Sequence, residues 1–177
     1  APSLGAGQPS PELATLSASD GAWGDAFGRS VAISGDTLIV GAPGRDDRGT
    51  DSGTAYVFQR DAGGRWAQRQ KLLPTELLAG DFFGWSVAID GDLAVVGAPG
   101  DDRRADGAPT ASSSDRGAAY VFRRIDGIWQ PDARLELPGD VSGLVGEPVG
   151  PTAGDGFGWR VATSAGAVFV SAPFRDG

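Results

Sequence analysis

The 177-residue sequence predicts an all-β fold: a partial β-propeller of four-stranded antiparallel blades, about two and a half to three of them. Three observations carry this. One long string of residues occurs three times; each occurrence holds short runs rich in Val, Ile, Tyr, Phe and Trp, bounded by Gly, Asp or Pro; and the composition favours turns over helices. Of the 23 acids, 19 are Asp and only 4 are Glu, beside 29 Gly and 12 Pro. Asp and Gly suit tight loops, whereas Glu suits helix interiors.

The first copy runs from Asp25-Ala26-Phe27-Gly28 through Ser30-Val31-Ala32-Ile33 and Gly35-Asp36 to Leu38-Ile39-Val40-Gly41-Ala42-Pro43. The second runs from Asp81-Phe82-Phe83-Gly84 through Ser86-Val87-Ala88-Ile89 to Ala94-Val95-Val96-Gly97-Ala98-Pro99, and the third from Asp155-Gly156-Phe157-Gly158 to Val168-Phe169-Val170-Ser171-Ala172-Pro173. Each holds two strands joined by a tight turn, Ser34-Gly35-Asp36 or Asp90-Gly91-Asp92, so the pair is an antiparallel hairpin. A third strand follows at Gly53-Thr54-Ala55-Tyr56-Val57-Phe58 and at Gly117-Ala118-Ala119-Tyr120-Val121-Phe122. A fourth begins near Trp66 or Trp129 and ends at Lys71-Leu72 or Arg134-Leu135.

Phe27 to Phe83 is 56 residues and Phe83 to Phe157 is 74, and the three prolines keep the same two steps, so only the outer loops vary in length. The long loops Gly100 to Arg116 and Pro138 to Gly156 are expected to be mobile. Residues 1–11 read as a flexible N-terminal segment and 12–177 as the propeller segment, with repeats near 12–66, 67–129 and an incomplete 130–177. Leu13-Ala14-Thr15-Leu16 aligns with the outer strand at Lys71-Leu72. Closure takes 4–8 blades, and four at the shorter step need about 224 residues. The chain is therefore expected to be part of a larger propeller or a protomer that completes a ring with its copies. Without Met, it reads as a processed form, an expressed segment or a fragment.

Phe-Gly followed by Gly-Ala-Pro, repeated in order, resembles the FG-GAP repeat found in integrin α-like propellers, and the wording is most similar to the bacterial branch. The resemblance covers about Glu12 to Pro173. It implies an extracellular or cell-surface module for adhesion or for recognition of a protein or glycan, without catalysis. It also implies calcium loops of Asp-x-Asp-x-Asp-Gly type between the first two strands of some blades. Here those places hold Ser34-Gly35-Asp36, Asp90-Gly91-Asp92 and Ser164-Ala165-Gly166, too short to supply six ligands, so that loop is not carried over.

Composition narrows the chemistry further. A formal charge of −8 argues against nucleic acid and anionic membrane as partners, and no apolar run approaches a membrane span. The chain has no Cys, His or Asn, which removes disulfides, thiolate and imidazole catalysis, ordinary zinc sites and N-glycosylation. The acids after each Gly-Ala-Pro, Asp46, Asp47 and Asp51 and then Asp101, Asp102 and Asp106, are the candidate calcium ligands. The competing reading is a set of solvated turns, with the interleaved arginines claiming the same carboxylates. The repeated aromatics Phe27, Phe83, Phe157, Trp66, Trp85, Trp129 and Trp159 read as inter-blade packing rather than a ligand platform. Two functional alternatives stand beside recognition: a structural spacer in a larger secreted protein, and part of a carboxylate-dependent glycosidase, which needs only two acids at the right separation.

Overall fold

The computed structural model describes residues 15–103, 116–137 and 156–173, and among them there are strands and turns but no helix. The first sheet is antiparallel in the order β1 (Ser30–Ser34), β2 (Thr37–Ala42), β3 (Thr54–Arg60), β4 (Trp66–Leu72). The second repeats it with β5 (Ser86–Asp90), β6 (Leu93–Ala98), β7 (Ala118–Ile125) and β8 (Ile128–Leu135). The third holds β9 (Val161–Ser164) and β10 (Ala167–Val170). This is a partial β-propeller. Sheets end at Leu72 and Leu135, beyond the sequence-repeat boundaries at 66 and 129, because the strand opened by each Trp hydrogen-bonds back to the blade before it.

Local sequence sets each blade. The β1–β2 and β5–β6 hairpins close over two residues, with Gly35 at φ 57° and Gly91 at φ 58°. The β9–β10 and β7–β8 hairpins hold two residues at positive φ, Ala165-Gly166 and Asp126-Gly127, as a type I′ turn requires. The Asp of each Gly-Asp turn has a second role. Asp36 accepts from Arg60 at 2.7 Å and Asp92 from Arg124 at 2.6 Å, tying the first hairpin to the end of the third strand. Both outer strands carry a bulge, opposite Val57/Phe58 and opposite Val121/Phe122, and Pro131 sits at the second, where the ladder tolerates a missing donor.

The main core lies between blades. Ile39, Ala55, Val57 and Leu72 of the first blade meet Phe83, Val87, Ile89, Val96, Tyr120, Phe122 and Trp129 of the second in one buried cluster. The first blade's other face, Val40, Ala42, Tyr56 and Phe58, is covered by Phe27, Leu16 and Ala18. Of the stretch expected to be an outer strand, only Thr15 and Leu16 are described, and they form no strand. Leu16 nevertheless packs on the first blade at the place in the repeat that Leu72 holds for the second.

The Phe-Gly turns of the second and third blades each dock on the blade before by backbone contact. Gly53 pairs with Phe83 and Gly117 with Phe157 as parallel bridges. The Phe83 amide donates to Ser52 O at 3.0 Å and the Phe157 amide to Arg116 O at 2.9 Å. Ser30 Oγ donates to Gly84 O at 2.9 Å, and Ser86 Oγ to Gly158 O at 2.8 Å. A Cβ at Gly41 would overlap the Gly84 carbonyl oxygen, and one at Gly97 would overlap that of Gly158. These glycines are thus required by close approach between blades, and the Gly-Ala-Pro glycine is an interface residue.

Gly97→Ala is therefore expected to lower unfolding stability by about 2–3 kcal/mol through backbone displacement between blades. Gly91→Ala, at positive φ but with nothing near the added methyl, is expected to cost about 1 kcal/mol. Urea titration of the two variants checks the order, and equal costs would contradict the docking argument.

Candidate functional site at the loop end of the blades

Antiparallel order places the Phe-Gly turns, the Gly-Ala-Pro loops and the blade-to-blade links at one end of the sheets, and the short hairpins at the other. Asp46, Asp47, Asp51, Asp101 and Asp102, nominated by sequence as calcium ligands, belong to this loop end; Asp106 lies outside the described residues.

In the first blade, Asp46 Oδ1 accepts from the Asp51 amide at 2.8 Å, which closes a local turn with Asp51 at φ 54°. Asp47 lies 3.3 Å from Arg45 and 2.5 Å from Lys71. Arg45 also meets Asp25 at 3.1 Å and Asp20 at 3.4 Å, while Lys71 meets Asp20 at 2.8 Å. The hydrogen bond from Lys71 holds the Asp20 carboxyl below its ordinary range. Tyr56, whose hydroxyl burial pushes upward, donates to Asp20 at 2.9 Å.

The second blade builds the same network with charges exchanged. After Gly-Ala-Pro-Gly the first blade places Arg45 and Asp47, and the second places Asp101 and Arg103 in the same two positions. On the fourth strand, Lys71 lies opposite Tyr56 and Arg134 lies opposite Tyr120. Asp101 is fully buried, with Arg103 at 2.8 Å, Arg134 at 3.0 Å and the Tyr120 hydroxyl donating at 2.7 Å. Arg103 also contacts the Tyr120 hydroxyl. Burial alone would raise the Asp101 carboxyl, but the hydrogen bonds from Arg103 and Arg134 outweigh it and hold the group down at about 2. Asp102 is half-buried beside it.

Asp25 and Asp81, two residues before each Phe-Gly, stand under these networks. Asp25 accepts from the Ala22 amide and Asp81 from the Leu78 amide, at 2.7 and 2.8 Å. Asp25 has Arg45 at 3.1 Å, whereas Arg103 turns to Asp101 and stays 3.8 Å from Asp81. Burial, aided by the Asp101 charge, pushes the Asp81 carboxyl up to about 7.

Asp81 and Asp101 therefore form a pair of acids with separated titration, the electrostatic pattern of an acid and base couple. Their setting is a closed one: Asp81 is 3% exposed, Asp101 is 0% exposed, and Asp101 already faces two guanidinium groups and a hydroxyl. Among the described residues, no three or more acids converge on a common point suited to a metal. Of the nominated acids, Asp47 and Asp101 instead meet cations of their own chain, and Asp46 accepts from the Asp51 amide. The aligned strings Gly-Arg-Asp-Asp and Gly-Asp-Asp-Arg were the sequence signal for this exchange.

The aromatics divide by depth. Phe27 and Phe83 each sit edge-on to a Tyr and a Phe of their own blade, at 5.3–6.1 Å. Trp129 is buried and exchanges two hydrogen bonds with the Gln70 amide across the blades. The residues just after each Phe-Gly form a row at the loop end instead. The Arg29 guanidinium lies 4.2 Å over Trp85, whose ring centroid is 5.0 Å from that of Trp159. Arg29 is exposed and both tryptophans are half-buried; Trp23, on the same end, is fully exposed.

A family model for the FG-GAP repeat matches residues 11–58 and 66–122, together more than half of the chain. No curated protein matches the sequence. Among the described residues, no helix is long and apolar enough to cross a membrane.

Two outcomes test the networks. Asp101→Ala, which leaves Arg103 and Arg134 without their shared carboxylate, is expected to cost about 3–5 kcal/mol in urea unfolding. Because the folded-state value of Asp81 is raised, its contribution is fully present below about pH 4 and is lost as pH rises through about 7. Asp81→Asn keeps an acceptor for the Leu78 amide and does not ionise, so between pH 5 and pH 8 it is expected to gain about 2–3 kcal/mol on the parent. Parallel stability profiles would contradict the assignment.

Proposed function

The chain belongs to the FG-GAP repeat family, and from that premise we propose a non-catalytic, extracellular or cell-surface module that recognises a protein or glycan ligand at its loop end. The observation that carries this reading is the Arg29, Trp85 and Trp159 row. Trp and Arg are enriched among the side chains that anchor binding surfaces, and the large rigid Trp ring makes its contact at little ordering entropy. Trp23 adds a fully exposed aromatic on that end with no packing duty to explain it.

The absence of catalysis is inferred from the acids. A glycosidase needs one carboxylic acid and one carboxylate facing substrate across an open cleft. Asp81 and Asp101 have the required separation in proton affinity, but both are shut away from solvent. The spacer reading draws support from Asp47 and Asp101, which are spent on internal ion pairs. Calcium at these loops would have to displace Lys71 and Arg45 from Asp47, or Arg103 and Arg134 from Asp101. A calcium-dependent rise in melting temperature is the sign of such a site.

Protein and glycan arrays probed with the parent chain, Arg29→Ala and Trp23→Ala test the reading. At least one ligand is expected, with binding weakened about tenfold or more by one of the substitutions while the melting temperature holds. Failure to find any ligand, or binding indifferent to both changes, would favour the spacer.

A further inference from the structure

Each joint between blades consists of a plug and a seat. The plug is the Phe-Gly turn of the following blade. The seat has three parts in the preceding blade: a Ser opening the innermost strand, the Gly of Gly-Ala-Pro, and the Gly before the third strand. Ser30, Gly41 and Gly53 make the first seat, and Ser86, Gly97 and Gly117 the second.

The third blade has lost two of the parts. Arg160 stands where Ser30 and Ser86 stand, and Ser171 where Gly41 and Gly97 stand. A Cβ at Gly41 or Gly97 overlaps the carbonyl oxygen of the incoming Gly, and Ser171 carries that Cβ. The Ser171 hydroxyl is turned inward, accepting from the Arg160 amide at 3.1 Å, while the Ser171 amide donates to Arg160 O at 2.9 Å. Arg160 has no hydroxyl to offer to an incoming carbonyl.

At the opposite end of the described arc the Phe27-Gly28 plug meets no described blade: nothing among the described residues lies within 4 Å of where a Cβ would stand at Gly28, whereas the same position at Gly84 and Gly158 meets the preceding blade. Val31 and Ile33 are 63% and 60% exposed, while Val87 and Ile89, their counterparts in the second blade, are each 9% exposed. On the far face of the third blade Phe169 is 61% exposed, although its counterparts Ile39 and Val95 are fully buried. A molecule with a free plug at one end and an intact seat at the other makes a heterologous contact that repeats from copy to copy, and unless the rotation closes it grows into open chains.

We propose that Arg160 and Ser171 are a stop: they prevent the Phe27-Gly28 turn of a second copy from docking on the third blade, and so block head-to-tail association. The stop acts by shape and lost hydrogen bonding at two residues, and it leaves the apolar patch around Phe169 in place. The same geometry turns away any other Phe-Gly blade in that register.

Sedimentation velocity over a range of concentrations compares the parent with Arg160→Ser/Ser171→Gly. The double variant is expected to associate with increasing concentration where the parent does not, and adding Gly28→Ala, which spoils the plug, is expected to restore the parent's behaviour. The reverse pair, Ser86→Arg/Gly97→Ser, installs the stop between the second and third blades. It is expected to accelerate amide exchange in Val161–Val170 by about a hundredfold or more, with the β1–β4 sheet unchanged. A double variant that sediments like the parent, or a reverse pair that leaves the third blade protected, would overturn the proposal.

Discussion

The structure depends on one steric fact: the main chain of each blade occupies space that the neighbouring blade leaves open only by having hydrogen in place of a side chain. Gly84 and Gly158 bring their carbonyl oxygens against Gly41 and Gly97, and Phe83 and Phe157 lie along Gly53 and Gly117. Such contact cannot be relaxed by rotamer changes, since backbone meets backbone on both sides. Once it is made, Val87 and Ile89 are positioned against Ile39 and Val57, and the largest apolar cluster forms between blades rather than within one. A stack held this way is quasi-one-dimensional, with stability set by neighbour interfaces.

The polar networks at the loop end follow from the same docking. The link that carries Phe83-Gly84 to its seat also carries Asp81 beneath the second Gly-Ala-Pro loop, near Asp101 and Arg103. Two blades with opposite charge order reach equivalent geometry because the fourth-strand cation, Lys71 or Arg134, can bind an acid in either arrangement. The repeat therefore keeps acid paired with cation and lets the order vary. Asp81 is the exception, left short of a full partner when Arg103 commits to Asp101.

The repeat made the architecture legible because blade strands are short, alternate with turn residues, and recur with fixed inner spacing. Gly35-Asp36, Asp90-Gly91 and the Tyr-Val-Phe strands fell where the string placed them. Other features needed three dimensions. The Gly-Ala-Pro glycines read as allowing a close approach or positive φ, but that Gly84 is what approaches Gly41 shows only in the structure, and nothing local in Arg29, Trp85 and Trp159 tells that they stack across three blades. The acidic loops were found by composition, but their pairing with Lys71 and Arg134 depends on a strand 24–33 residues away along the chain. Ser171 stands in the third copy of the string where Gly41 and Gly97 stand in the others, and only the seat gives that difference a meaning.

Native-state hydrogen exchange at the Phe83 and Phe157 amides tests the docking constraint most directly. Both residues lie outside the named strands, in turns that exchange within seconds to minutes if the blades are merely adjacent. Because these amides donate to Ser52 O and Arg116 O across the joints, they are expected to exchange with the slowest β6 and β7 amides. Fast exchange at both, with the strands still protected, would contradict the claim that backbone docking between blades holds the structure together.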